Sequence, residues 1–183
     1  VQNLSTHSLT VLSASQMGAF ETTDIAVLNA NSIQSLSNLQ VQALSTKQLN
    51  ALTPNQLVNF TTTTLGKLSA SQWKGLVGTT INELNTNTIA ALSTSLVAKL
   101  TINQIALLSS SILGAIHTNA VAILTPSQIE ALSTSQVSTL STKTLNALTT
   151  KQISSLETID VAALSTGSIV ALSSNQLSAL SAK

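Results

Sequence analysis

The sequence predicts an all-α solenoid of very short helices, one for each eight-residue repeat. Three observations predict it: an unbroken octad, a helix-start signal at the head of each octad, and a helical geometry that rules out one long helix. The octad is visible in two series. Every eighth residue from Val1 (Leu9, Met17, Ile25 and onward to Ile169 and Leu177) is large and apolar. Every eighth residue from Leu4 is Leu, except Phe20, Phe60 and Ile116. Neither series slips, so residues 1–183 read as a single uninterrupted array of about 23 octads. Internal repeats of this kind are the signature of stacked architectures.

Ser45-Thr46-Lys47-Gln48-Leu49-Asn50-Ala51-Leu52 stands for one octad. Its first place is Ser, Thr or Asn nearly throughout, with Glu21, Val77, His117 and Glu157 as the exceptions. A hydroxyl or amide oxygen there accepts from the free backbone N–H groups of a helix start. The second place is often Thr and twice Pro, at Pro54 and Pro126. Proline suits a first helical position, where its missing N–H would be unpaired anyway. The fourth place is often Gln, which can reach back to the cap residue's own N–H as a capping box. The fifth and eighth places hold the two large apolar residues. The seventh is often Ala, which would let neighbouring helices approach closely.

One continuous helix cannot use this pattern. At 3.6 residues per turn, eight residues overshoot two turns by about 80°, and the apolar stripe would wind around the helix. The chain must turn at each cap for the apolar pairs to share one interior. A β-solenoid is the alternative fold, but Leu49 and Leu52 would then face opposite sides of one strand. Turn-forming Gly is also scarce, at six in the chain. A helix of about seven residues is not stable alone in water, so stability has to come from neighbours in the stack. Two octads per coil is the simplest closure, and three the runner-up. The first and last octads follow the motif without the polar capping repeats that solenoids usually carry. They are expected to continue in a longer solenoid or to meet head to tail.

Composition narrows the function. Charged residues make up 7% of the chain and the net charge is +1. Seven scattered lysines and no arginine do not make a nucleic-acid surface, which needs clustered cations. The absence of cysteine removes disulfides and thiolate metal sites. The apolar segment 106–124 is interrupted by Ser109, Ser110, Ser111, His117, Thr118 and Asn119, so no membrane span is expected. The many serines have no base and orienting acid beside them, which leaves nucleophilic catalysis without support. Glu21 with Asp24 and Glu157 with Asp160 open octads, where carboxylates favour the helix dipole. His7 and His117 have no ligand-like companions. Neither a catalytic centre nor a cofactor or metal is expected.

Departures from the motif mark candidate interaction residues. Leu39, Leu96, Ile102, Ile112 and Ile159 are apolar at places that are usually polar. They are the candidates for a lateral interface with another copy or with a protein or glycan partner. Leu96 and Ile112 would lie one above the other if a coil held two octads. Trp73 replaces an interior aliphatic and should be a core residue with its N–H near the rim. Recurrent second-place threonines (Thr46, Thr62, Thr86, Thr94, Thr118, Thr134, Thr142, Thr150) would form a ladder on a regular coil, the basis of a remote ice-binding reading.

The octad Leu-Ser/Thr-x-x-Gln-Leu/Ile/Val-x-Ala resembles repetitive tracts in large bacterial secreted and surface proteins, including adhesin-like ones. The openings 52–58 and 124–130 also look like those of the DNA-reading repeats of TAL effectors, a likeness confined to the helix-start signal. The first resemblance implies a non-enzymatic structural protein outside the cell: a rod, stalk, filament or surface layer that assembles with itself. The alternative is a binding scaffold that presents Ser, Thr, Asn and Gln to a protein or glycan.

Overall fold

The computed structural model describes residues 4–180. They form twenty-two short α-helices and no strand, so the helical expectation holds and the β-solenoid falls. The helices are α1 (Thr6–Thr10), α2 (Ala14–Gly18), α3 (Thr22–Ala26), α4 (Ala30–Ser35), α5 (Asn38–Ala43), α6 (Thr46–Asn50), α7 (Pro54–Leu57), α8 (Thr62–Gly66), α9 (Ala70–Gly75), α10 (Gly78–Asn82) and α11 (Thr86–Ala90). They continue as α12 (Thr94–Val97), α13 (Ile102–Leu107), α14 (Ser110–Ala115), α15 (Thr118–Val121), α16 (Pro126–Glu130), α17 (Thr134–Ser138), α18 (Thr142–Ala147), α19 (Thr150–Ile153), α20 (Thr158–Ala162), α21 (Thr166–Ala171) and α22 (Ser174–Leu180). Most have five or six residues, shorter than the seven the repeat suggests, because two residues of each octad are given to the corner.

The corner explains the scarcity of glycine. At Leu44, Leu76, Leu108 and Leu148 the eighth-place residue is extended, and the cap residue that follows is extended too. Two extended residues in a row redirect the chain without any left-handed backbone. No described residue has positive φ, so Gly has no special task there. Ser, Thr or Asn caps accept from the first-turn N–H groups, as Ser45 does from Gln48 and Thr125 does from Gln128. Pro54 and Pro126 open their helices as expected.

The chain divides into two compact units, Val1–Ile89 and Ala90–Lys183, and the octad runs through the division without a change of period. In the first unit α1 packs on α4 and α4 on α7, while α2 packs on α5, α3 on α6 and α6 on α9. In the second, α12, α15, α18 and α21 stack in order, as do α13, α16, α19 and α22, and α14, α17 and α20. Within each unit, these packed helices rest on the third one before them. This corrects the expectation of two octads per coil: the coil takes three. A helix of five or six residues is about as long as it is wide. Two such helices facing each other would leave little room for two large side chains from each, whereas three sides enclose a common interior.

Both apolar series fill that interior. Leu9, Ile25, Leu49 and Leu65 from one series and Leu36, Phe60, Leu108 and Leu148 from the other are buried. Trp73 is a core residue but is enclosed completely, so its N–H does not reach a rim. No buried side-chain nitrogen or oxygen of the described residues lacks a hydrogen-bond partner.

Candidate functional site

The fourth place does more than the capping box. Gln136 is buried. Its Oε1 accepts from the Ser133 N–H at 2.7 Å, which is the box itself. Its Nε2 donates to the carbonyls of Ile105 at 2.9 Å and Leu108 at 2.7 Å. Those carbonyls lie 31 and 28 residues earlier, at a corner of the coil beneath. The same pair of bonds recurs from Gln40 to Leu9 and Leu12, from Gln56 to Ile25 and Leu28, and from Gln72 to Val41 and Leu44. It recurs again from Gln152 to Val121 and Leu124, and from Gln176 to Leu145 and Leu148. One amide thus locks its own helix start and brackets it to the previous coil.

Other side chains fill in where Gln is missing. Thr64 is too short to reach the Leu36 carbonyl; Lys67, one helical turn on, donates its Nζ there instead. The Thr88 hydroxyl donates to the Phe60 carbonyl at 2.8 Å. Asp160 is buried at a fourth place. Its Oδ2 accepts from the Glu157 N–H at 3.2 Å and its Oδ1 accepts from the Thr134 hydroxyl at 2.8 Å. Gln16 is the informative contrast. It belongs to the first coil, is exposed, and makes the box with Ser13 at 2.8 Å.

The bracket was missed in the sequence, but a signal for it was present. A purely local capping box accepts Glu as readily as Gln. No fourth place holds Glu. A buried carboxylate cannot donate to a carbonyl, and it would face the oxygens that Gln satisfies.

The five candidate interface residues lie on five different helices. Leu39 on α5, Ile102 on α13 and Ile159 on α20 are 70%, 50% and 62% exposed. Leu96 on α12 is half-buried. Ile112 on α14 is 2% exposed, packed inside its own unit at a fourth place. Leu96 and Ile112 sit on different sides of a three-octad coil, so the stacking expected of them does not occur. The threonine ladder is likewise divided. Thr94, Thr118 and Thr142 lie on stacked helices, while Thr134 and Thr150 belong to the other two sides. His117 caps α15, with its Nδ1 accepting from the Asn119 N–H at 3.3 Å. Among the described residues no three His, Cys, Asp or Glu gather as a metal-holding group. No described helix is long and apolar enough to cross a membrane.

Short helices stacked three to a coil and bracketed by repeated amides define a tandem-repeat protein of the helical solenoid class. The chain matches the ALTTAQ repeat over residues 17–54, 121–158 and 153–183. These segments cover more than half of the chain, which belongs to the ALTTAQ repeat family. No curated protein matches it.

Proposed function

We propose that this chain is a non-enzymatic structural repeat protein, working outside the cell as part of a rod, filament or surface layer that assembles with copies of itself. The observation that carries the reading is where the buried polar chemistry goes. At fourth place after fourth place, a buried Gln is used to hold one coil on the next. Side chains committed to stacking are what an extendable support requires. Near-neutral charge supports the same reading, because close lateral packing of copies meets little electrostatic repulsion.

Electron microscopy and sedimentation of the purified chain across a wide concentration range test it. Elongated particles that lengthen or bundle with concentration are expected. Compact monomers persisting at the highest concentration would overturn the self-assembly. The exposed residues Leu39, Ile102 and Ile159 are proposed as lateral contacts. Replacing all three with Ser should reduce bundling while leaving the helical circular-dichroism signal unchanged.

A further inference from the structure

Charge is sparse in residues 1–89, but it is not scattered. Six residues there are Asp, Glu or Lys, and four of them (Glu21, Asp24, Lys47 and Lys74) belong to α3, α6 and α9. These helices form one side of the coil, with α3 packed on α6 and α6 on α9. The charges are sorted along that side. Glu21 caps α3 and Asp24 lies in its first turn, while Lys47 on α6 and Lys74 on α9 are the only charges of those two helices. Glu21, Lys47 and Lys74 are exposed and Asp24 is half-buried. Neither lysine makes a hydrogen bond or ion pair with another described residue. The other two charges, Lys67 and Glu83, follow α8 and α10, outside this stack, and Lys67 Nζ is committed to the Leu36 carbonyl. Around the four charges the outward residues are short and neutral, such as Thr22, Ala70 and Ser71, and Val27 is 42% exposed.

A face whose opposite charges are sorted along one axis matches a reversed copy of itself. A two-fold axis parallel to the stack would set α3 against α3, acid against acid. A two-fold axis perpendicular to the stack, passing between α3 and α6, sets α3 of each copy against α6 of the other. Glu21 and Asp24 then oppose Lys47, with Lys74 one layer beyond. Such an interface is isologous, so each contact is made twice. The short neutral residues let the two faces come close, and the lysine stems lie across them. Complementary charge of this kind selects partner and register more than it adds affinity. We infer that the α3, α6 and α9 side of the first unit is a docking surface for a second copy of the chain, in antiparallel orientation. This rests on the self-assembly proposed above and adds to it a contact separate from Leu39, Ile102 and Ile159. Neighbouring copies joined in this way run in opposite directions.

Two charge variants of the full chain test it. Lys47→Glu/Lys74→Glu makes the side wholly acidic. Glu21→Ser/Thr23→Lys/Asp24→Gln makes it wholly basic and gives α3 the heading Ser-Thr-Lys-Gln that α6 has at residues 45–48, so the cap and its box are kept. Sedimentation velocity is measured for the native chain, each variant and their equimolar mixture, with circular dichroism checking that all keep the same helical signal. The native chain should associate, and less so as salt rises from about 0.05 M to about 0.5 M, because exposed charges are screened. Each variant alone should associate about tenfold more weakly or worse, since every altered contact occurs twice and turns repulsive. The mixture should recover the native level at low salt. Should the basic variant not fold, Glu21→Ser/Asp24→Gln, whose side keeps only lysines, takes its place in the mixture. Variants that associate as the native chain does would overturn this docking surface and leave self-assembly through other contacts standing. Weakened variants that their mixture does not restore would also overturn it, because the loss would not come from opposed charges. A native chain that stays monomeric at every concentration would overturn the self-assembly itself, and this surface with it.

Discussion

Gln136 and Gln16 occupy the same place in the motif and differ in one respect: a coil lies beneath Gln136. That makes them a controlled pair. Gln136→Glu keeps a side chain that can close the capping box, yet it buries a carboxylate against the Ile105 and Leu108 carbonyls. A cost of about 3 kcal/mol is expected, since two bonds are lost and a buried charge gains no donor. Gln16→Glu should be neutral or stabilising by up to about 0.5 kcal/mol, because an exposed carboxylate at a helix start complements the dipole. Urea midpoints of the two variants check this, and equal effects would reduce the fourth place to a local cap. The same reasoning accounts for the preference for Gln over Glu at this place, where the shorter Asp160 is accommodated by the Thr134 hydroxyl. The preference was legible in the sequence, but its reason was not, because a capping box seen one octad at a time gives Gln and Glu equal standing. Only the coil beneath separates them.

Single helices differ in how they fill the motif, and three glycines on them make opposite predictions for one substitution. A Cβ at Gly66 or Gly114 meets nothing within 4 Å, so Gly→Ala at either should stabilise by about 0.5–1 kcal/mol through helix propensity and a less free unfolded chain. A Cβ at Gly75 would come within 3.0 Å of Thr46 Cβ and closer still to its methyl, because α9 lies on α6. Gly75→Ala should therefore destabilise by about 1–2 kcal/mol, and Thr46→Ser, which removes that methyl, should recover part of the loss. Thermal unfolding of the four variants measures both signs. Val77 heads α10 without a side-chain cap bond; Val77→Ser should add about 1 kcal/mol. Helix starts were legible one by one, from Ser, Thr, Asn and Pro at fixed places. The number of helices per coil was not legible in any one octad or in neighbouring ones. Compared at intervals of three, the second places separate: Thr94, Thr118, Thr142 and Thr166 share one side, while Pro54, Gly78, Ile102 and Pro126 recur at the same interval without a threonine.

At the scale of the whole chain, the described layer-to-layer hydrogen bonds join residues no more than 31 apart, as from Gln176 to Leu145. Nothing in that bonding ties a late coil directly to an early one. A globular domain that loses its last three helices loses part of a shared core and unfolds. A stacked array loses one layer and a nearest-neighbour term. Ending the chain after Leu156 removes α20, α21 and α22 at an octad boundary. The loss exposes only the coil immediately beneath, including the Leu145 and Leu148 carbonyls that Gln176 had covered. The shortened protein should keep the same helical signal per residue. Its urea m-value should fall roughly in proportion to the surface removed. Collapse of the helical signal would mean that distant coils stabilise one another by a route other than the layer-to-layer bracket.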